Sequence, residues 1–245
     1  MVDVQQLAKV FHDKKRGEVR AVDGVSFRCE PGKIFGLLGV NGAGKTTCLR
    51  ILATILQPSS GTANIAGHDI VTAPEKVRMD VGFLSTATAL YDRLTAYEMA
   101  QYFGRLHGLS EDVLRTRLED IFTLLGMNEF RDRRCGKLST GMKQKVSIAR
   151  TLVHDPSVII FDEPTLGLDV LSARTIVGFI RECRGRGKTV IFSTHVMSEV
   201  EKLCDTIAII HGGRILANGS LGQLREQAGM SDLEDIFVKL VEEKS

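Results

Sequence analysis

The nine residues GVNGAGKTT, 39 to 47, constrain this chain more than any other stretch. They follow the unbroken apolar run IFGLL (34–38) and precede CLRILATIL, whose apolar residues recur at helical spacing. A G-x-x-x-x-G-K-[ST] pattern between a strand and a helix is a backbone cradle for phosphate. Glycines let the chain wrap inward, N–H groups line the wrap, and the following helix points its positive end at the same anion. Gly39, Gly42 and Gly44 permit the wrap, and Val40, Asn41 and Ala43 lend it backbone donors. Lys45 supplies a point charge for the β- and γ-phosphates, Thr46 a hydroxyl for Mg²⁺, and Thr47 a donor on the α-phosphate side.

The rest of the chain fits an α/β core around that loop. SVIIF (157–161), TVIFS (189–193) and TIAII (206–210) are short and unbroken like IFGLL, as expected of parallel strands covered on both faces. GVSFRCE (24–30), TANIAG (62–67) and GRILANG (213–219) alternate between Gly or Asn boundaries and read as antiparallel strands with one wet face. Between about 86 and 151 strand-like runs disappear. Thr95 opens a helix with a capping box to Glu98, and Leu94 and Met99 stand where a hydrophobic staple would hold the entering chain. In EDVLRTRLEDIFTLLG, residues Leu114, Leu118, Ile121, Phe122 and Leu125 form one helical face. An all-helical insert in a sheet protein is the expectation.

With 245 residues, 43% of them hydrophobic, the chain suits one domain with a smaller subdomain. Its 32 basic and 30 acidic residues nearly cancel, and the longest one-sign cluster, HDKKRGEVR, reads as a solvated hairpin turn at Lys14, Lys15 and Arg16. That argues against a nucleic-acid partner. No stretch reaches the roughly 18 apolar residues of a membrane helix, and no secretory pattern opens the chain, so an intracellular soluble protein is expected. Cys29, Cys48, Cys135, Cys183 and Cys204 have no paired spacing for a disulfide framework or a zinc site.

VIIFDEP (158–164) supplies the acidic side of the chemistry. An apolar strand delivers Asp162 at its carboxyl end, where open α/β sheets bind ligands, and an aspartate there serves the shell of Mg²⁺. Glu163 is placed to polarise a water. A small-molecule kinase has less need of a carboxylate aimed at water, so the pair favours hydrolysis. FSTH (192–195) leaves His195 at the end of another strand, facing the same phosphate edge.

Taken with LSTGM (138–142), these motifs resemble the nucleotide-binding subunits of ATP-binding cassette (ABC) transporters over nearly the whole chain. GVNGAGKTT, LSTGM, Asp162–Glu163, the Gly167-Leu168-Asp169 turn and His195 stand in the family's order. The resemblance implies a P-loop NTPase of ABC type. Its RecA-like parallel-sheet core carries an antiparallel β subdomain and an inserted all-helical subdomain. It divides the chain into a core lobe (1–85 and 152–230), a helical lobe (86–151) and a C-terminal tail (231–245). It further implies ATP and Mg²⁺ as cofactors and head-to-tail pairing with a second copy. Ser139, Thr140 and Gly141 would then close over the ATP held by the partner's phosphate loop, from a helix starting near Met142. Asp169 would link the two sites, and Phe11 would stack on adenine beside a small apolar contact from Val22. The usual second glycine of the lid motif is Thr140 here, and the usual glutamine is Met142. A further glutamine of the family, at the end of the strand VGFLS, is replaced at Thr86, or one residue away at Ser85, and the shorter Thr86 hydroxyl would have to serve the metal.

GFLSTATALYDRLT (82–95) is similar to NatA-type cassettes of sodium-extruding systems, and DLEDIFVKLVEE to the tail of the wider exporter group. Leu233, Ile236, Phe237, Leu240 and Val241 make that tail an amphipathic helix, docked on the domain rather than on lipid because its polar face is acidic. The reading implied is a transport ATPase, cytoplasmic and peripheral on the inner face of the cell membrane. It would touch the membrane only through a NatB-like permease and drive export, with sodium the leading cargo. A drug or lipid exporter and a soluble cassette protein without a pump are the alternatives.

Overall fold

The computed structural model describes residues 1–13, 17–85 and 89–243. The turn at Lys14, Lys15 and Arg16 and the metal candidate Thr86 lie outside the described residues.

The order of elements is β1 (Val2–Asp13), β2 (Gly17–Cys29), β3 (Ile34–Leu38), α1 (Lys45–Leu52), β4 (Ser60–Ile65), β5 (His68–Asp69), α2 (Pro74–Asp80) and β6 (Val81–Ser85). Then come α3 (Ala96–Leu106), α4 (Glu111–Leu124), α5 (Thr140–Leu152), β7 (Val158–Asp162), α6 (Val170–Gly185) and β8 (Thr189–Thr194). The chain continues through α7 (Met197–Leu203), β9 (Thr206–His211), β10 (Arg214–Gly219), α8 (Leu221–Ala228) and α9 (Leu233–Glu242). Among the described residues the strands form a sheet ordered β2-β1-β4-β5 and a larger one ordered β10-β9-β3-β8-β7-β6.

The unbroken apolar runs sit at the centre of the larger sheet, where neighbouring strands are parallel from β9 to β6. Side chains alternate across a strand, so such a run must feed two cores. It does: Ile34, Leu38, Ile159, Phe161, Val190 and Phe192 pack with the helices on one face. Phe35, Leu37, Val158, Ile160 and Ile191 pack with α1 and the smaller sheet on the other. GRILANG is antiparallel as expected, but it borders the large sheet beside β9 rather than joining GVSFRCE and TANIAG.

The helical segment follows its sequence signals. Thr95 Oγ1 accepts the Glu98 N–H at 3.1 Å while the Glu98 carboxylate accepts the Thr95 N–H at 2.8 Å, the reciprocal cap that the pair predicts. Such a cap is worth about 1 kcal/mol. Met99 and the predicted α4 face are buried in one cluster, with Leu94 packed against it. Two helix limits differ from the pattern. CLRILATIL stops being helical at Leu52, because Ala53 caps the helix and Thr54 turns left-handed at φ 57°. The helix after LSTGM starts at Thr140 rather than near Met142, because Ser139 caps it. At the C-terminus α9 buries Leu233, Ile236 and Phe237, with Leu240 and Val241 packed against the same core.

Candidate active site

Parallel register assembles the site. Leu38 pairs with Thr194, Asp162 with Ser193 and Ser85 with Asp162, so β3, β8, β7 and β6 all end at one level. The loop 39–44, Glu163 and His195 follow those ends at one edge of the sheet.

The loop enters α1 through Gly44, which is left-handed at φ 103° and offers no side-chain cap. A Cβ at Gly44 would overlap the Ala21 carbonyl oxygen, and one at Gly39 would overlap that of Ile210. No acidic residue occupies the first turn of α1. The leading N–H groups of the helix are therefore left for an external acceptor, which is what a phosphate supplies. Val40 and Asn41 are exposed on the loop, whereas Ala43 is buried beneath it.

Lys45 is 5% exposed. Its Nζ donates to the Gly39 carbonyl at 2.6 Å and the Val40 carbonyl at 3.1 Å. It also lies 3.0 Å from Glu163 Oε1, an ion contact rather than a directed hydrogen bond, since that buried oxygen accepts none. Glu163 Oε2 lies 2.9 Å from His195 Nδ1, so the carboxylate stands between an ammonium and an imidazole. Its backbone is left-handed at φ 50°, a conformation that costs a non-glycine residue of order 1–3 kcal/mol and is found mainly where function requires it. Thr46 Oγ1 donates to Asp162 Oδ1 at 3.0 Å.

These groups fit the cofactors expected. The uncapped helix end and Lys45 match a polyphosphate. Thr46 and Asp162 are hard oxygen donors of the kind Mg²⁺ takes with phosphate oxygens and water. Among the described residues there is no cluster of three or more His, Cys, Asp or Glu side chains that could hold a metal ion. Thr86 follows Ser85, whose register partner is Asp162.

The remaining candidates lie apart from this cluster. Ser139 Oγ accepts the Met142 N–H at 3.3 Å and caps α5. Ser139, Thr140 and Gly141 make no hydrogen bond to Lys45, Asp162 or Glu163 among the described residues. Gly141 faces Ser172, whose Oγ would lie 2.8 Å from a Cβ added there. Ser172 in turn donates to Asp169 Oδ2 at 2.7 Å, while Asp169 Oδ1 accepts the N–H groups of Leu171 and Ser172 and caps α6. The Ser172 hydroxyl and these backbone donors hold the Asp169 carboxyl below the usual range. LSTGM and Asp169 thus share a neighbour and a face. One bond ties α5 to the acidic end: Gln144 Nε2 donates to the Pro164 carbonyl at 2.9 Å.

Phe11 is half-exposed on β1, with Lys9 Nζ 5.3 Å from its ring centroid. Val22 does not accompany it. Its side chain is fully buried under the smaller sheet and presents no surface to a base. The exposed apolar residue beside Phe11 is Val19, its register partner on β2. Hairpin register identifies it, and the alternation of GEVRAVDG alone does not.

The ABC transporter family pattern matches residues 22–166. Over 243 residues, 98% of either chain, the sequence is 45% identical to the ABC transporter ATP-binding protein NatA of Bacillus subtilis (strain 168). It is 35% identical to the daunorubicin/doxorubicin resistance ATP-binding protein DrrA of Streptomyces peucetius, over 95% of this chain and 69% of that one. The fold matches a solved ATP-binding subunit of an ABC transporter with a TM-score of 0.88 and 29% identity, covering 98% of this chain and 99% of that one.

Proposed function

The chain belongs to the ABC transporter family as an ATP-binding subunit and an ATPase of transport, and from that premise we propose that two copies close head to tail around two Mg-ATP and drive a separate permease. The observation that carries this reading is the split just described. Lys45, Asp162, Glu163 and His195 converge within one chain, whereas among the described residues Ser139, Thr140 and Gly141 make no hydrogen bond to Lys45, Asp162 or Glu163. Exposed Leu166, Val170 and Leu171 beside the Asp169 turn give that face apolar surface for a second copy to cover.

In this reading Lys45 exchanges Glu163 for the β- and γ-phosphates, which frees the Glu163 carboxylate to accept a proton from the attacking water. His195 keeps that carboxylate in place and faces the γ-phosphate. Mg²⁺, when bound, neutralises charge building on the phosphate oxygens. Thr46 and Asp162 would hold it, and Thr86 is assigned to its shell from sequence position. Phe11 and Val19 form the platform for the base. Ser139 accepts Met142 N–H, which leaves its own proton to be donated to the partner's γ-phosphate. We assign 1–85 and 152–230 to the core lobe, 86–151 to the lobe carrying the lid, and 231–245 to the docked tail.

No helix among the described residues is long and apolar enough to cross a membrane. We assign the path to a separate permease of NatB type, with the subunit against it on the inner face of the membrane. Sodium is the cargo we assign, on the NatA-like segment 82–95 and the 45% identity over nearly the full chain. The ATPase arrangement is tested by light scattering of Glu163→Gln with Mg-ATP. A dimer supports the reading, and a monomer at saturating nucleotide overturns it. The cargo is tested in vesicles holding the co-purified permease: ATP-driven sodium movement supports the assignment, and movement of an anthracycline without sodium replaces it.

A further inference from the structure

Ser193 closes β8 directly beside Asp162 in the parallel register. It is fully buried in a strand of otherwise apolar and threonine residues. Its Oγ makes two hydrogen bonds, to Asp162 Oδ1 at 2.8 Å and with the backbone N–H of Glu163 at 3.1 Å. Valence fixes their direction. A backbone N–H only donates, so the hydroxyl accepts from Glu163 and spends its single proton on the Asp162 carboxylate. One side chain thus grips two successive acidic residues, one by its carboxylate and the other by its backbone.

Both grips have a function at the site. Asp162 Oδ1 receives hydroxyls from Thr46 on one side and Ser193 on the other, which together fix the rotation of the carboxylate. Glu163 holds a left-handed backbone, and the Ser193 carbonyl and hydroxyl both receive its N–H. That backbone turn places the Glu163 carboxylate between Lys45 and His195.

We propose that Ser193 is the positioning residue of the acidic pair, setting the Asp162 carboxylate for Mg²⁺ and the Glu163 carboxylate for the attacking water through one hydroxyl. The inference rests on the roles given above to Asp162 and Glu163. Partners behind a metal ligand typically contribute about 10–100-fold in metal affinity or activity.

The test compares Ser193→Ala, Ser193→Cys and Ser193→Thr in the full chain. Cysteine keeps nearly the volume but is a weak donor, and threonine keeps the hydroxyl. Two quantities are read: affinity for a fluorescent ATP analogue with and without Mg²⁺, and the Mg²⁺ titration of turnover. The alanine and cysteine variants are expected to raise half-saturating Mg²⁺ by about tenfold or more and to lower kcat, with Mg²⁺-free nucleotide affinity unchanged. Threonine restores the titration; if its extra methyl prevents folding, the volume-matched cysteine variant decides. Wild-type Mg²⁺ titrations in the alanine and cysteine variants overturn the proposal. So does an equal loss of affinity with and without Mg²⁺, which marks a packing role alone. Glu163→Gln, run alongside, separates the two layers. If it keeps wild-type turnover, the role given to the acidic pair has failed; if it is inactive while the Ser193 variants behave as wild type, only the positioning role has failed.

Discussion

The phosphate loop and the LSTGM turn use the same materials, glycine, hydroxyl side chains and a helix N-terminus, in opposite surroundings. At the loop the helix end is uncapped and half-buried, and the nearest charges are Lys45 at 5% exposure and Asp162 at 3%. At LSTGM the helix end is capped by its own serine, and Ser139 and Thr140 lie open to solvent. An uncapped helix end is incomplete without an anion. A capped, open one is stable alone and free to add its remaining donor to something brought to it. We propose on this contrast that the first region is a site and the second is part of a site in another molecule.

Substitutions that break this contrast should do so unequally. Glu163→Gln keeps the shape of the carboxylate but removes the proton acceptor, and turnover is expected to fall about 10²–10⁴-fold while ATP binding persists. Steady-state phosphate release set beside nucleotide binding measures the split. Next in size are matched glycine replacements. Gly44→Ala must hold φ near 103° and overlap the fixed Ala21 carbonyl, so ATP binding should be lost and the fold destabilised by about 2–3 kcal/mol. Gly141→Ala meets only the movable hydroxyl of Ser172, so the isolated chain should still bind ATP. Equilibrium dialysis and urea unfolding of the two variants check the difference.

The opposite end of β6 from the site carries a pH-dependent contribution. His154, just after α5, bonds through Nε2 to the Val81 carbonyl of β6 at 3.2 Å and stacks on His107 with ring centroids 3.7 Å apart. Burial, and then the neighbouring His107, push the His154 imidazole down to about 4. Burial lowers His107 as well. The unfolded chain binds this proton near pH 6.5 and the folded chain only near 4, so stability is full above pH 6.5 and falls as pH drops towards 4. The loss attributable to His154 is on the order of 2 kcal/mol. His154→Gln should flatten that slope in urea unfolding measured between pH 7 and pH 4.5. The smallest effect expected is at the lid itself. Ser139→Ala removes the α5 cap and should cost about 1 kcal/mol, whereas Ser139→Asp keeps an acceptor there and should be close to neutral in thermal unfolding.

Most of the core was legible because its signals are local. IFGLL, SVIIF, TVIFS and TIAII announce buried parallel strands, and the Thr95–Glu98 pair announces a helix start. What was not legible depends on pairing. Strand β1 lacks clean alternation because its register shifts between Val4 and Val10 and Gln6 turns left-handed, so VDVQQLAKVFHD shows no period. Val22 and Val19 differ only in which face of the hairpin each occupies. Ser193 is one hydroxyl in an apolar run, and only the β7–β8 register sets it against Asp162. The ring stack of His107 and His154 joins the ends of two helices 47 residues apart in sequence.

The central claim, that LSTGM completes a site in a second copy, is tested most directly with purified heterodimers of Lys45→Ala and Ser139→Asp. The aspartate keeps the α5 cap while placing a negative charge against the partner's γ-phosphate. In a head-to-tail pair both lesions fall on one nucleotide, because the lid of the Ser139→Asp chain covers the loop of the Lys45→Ala chain. The other nucleotide keeps an intact loop and an intact lid. Single-turnover hydrolysis of about one ATP per heterodimer, with neither homodimer active, is the result expected. A heterodimer of confirmed stoichiometry that is as inactive as both homodimers would contradict the claim.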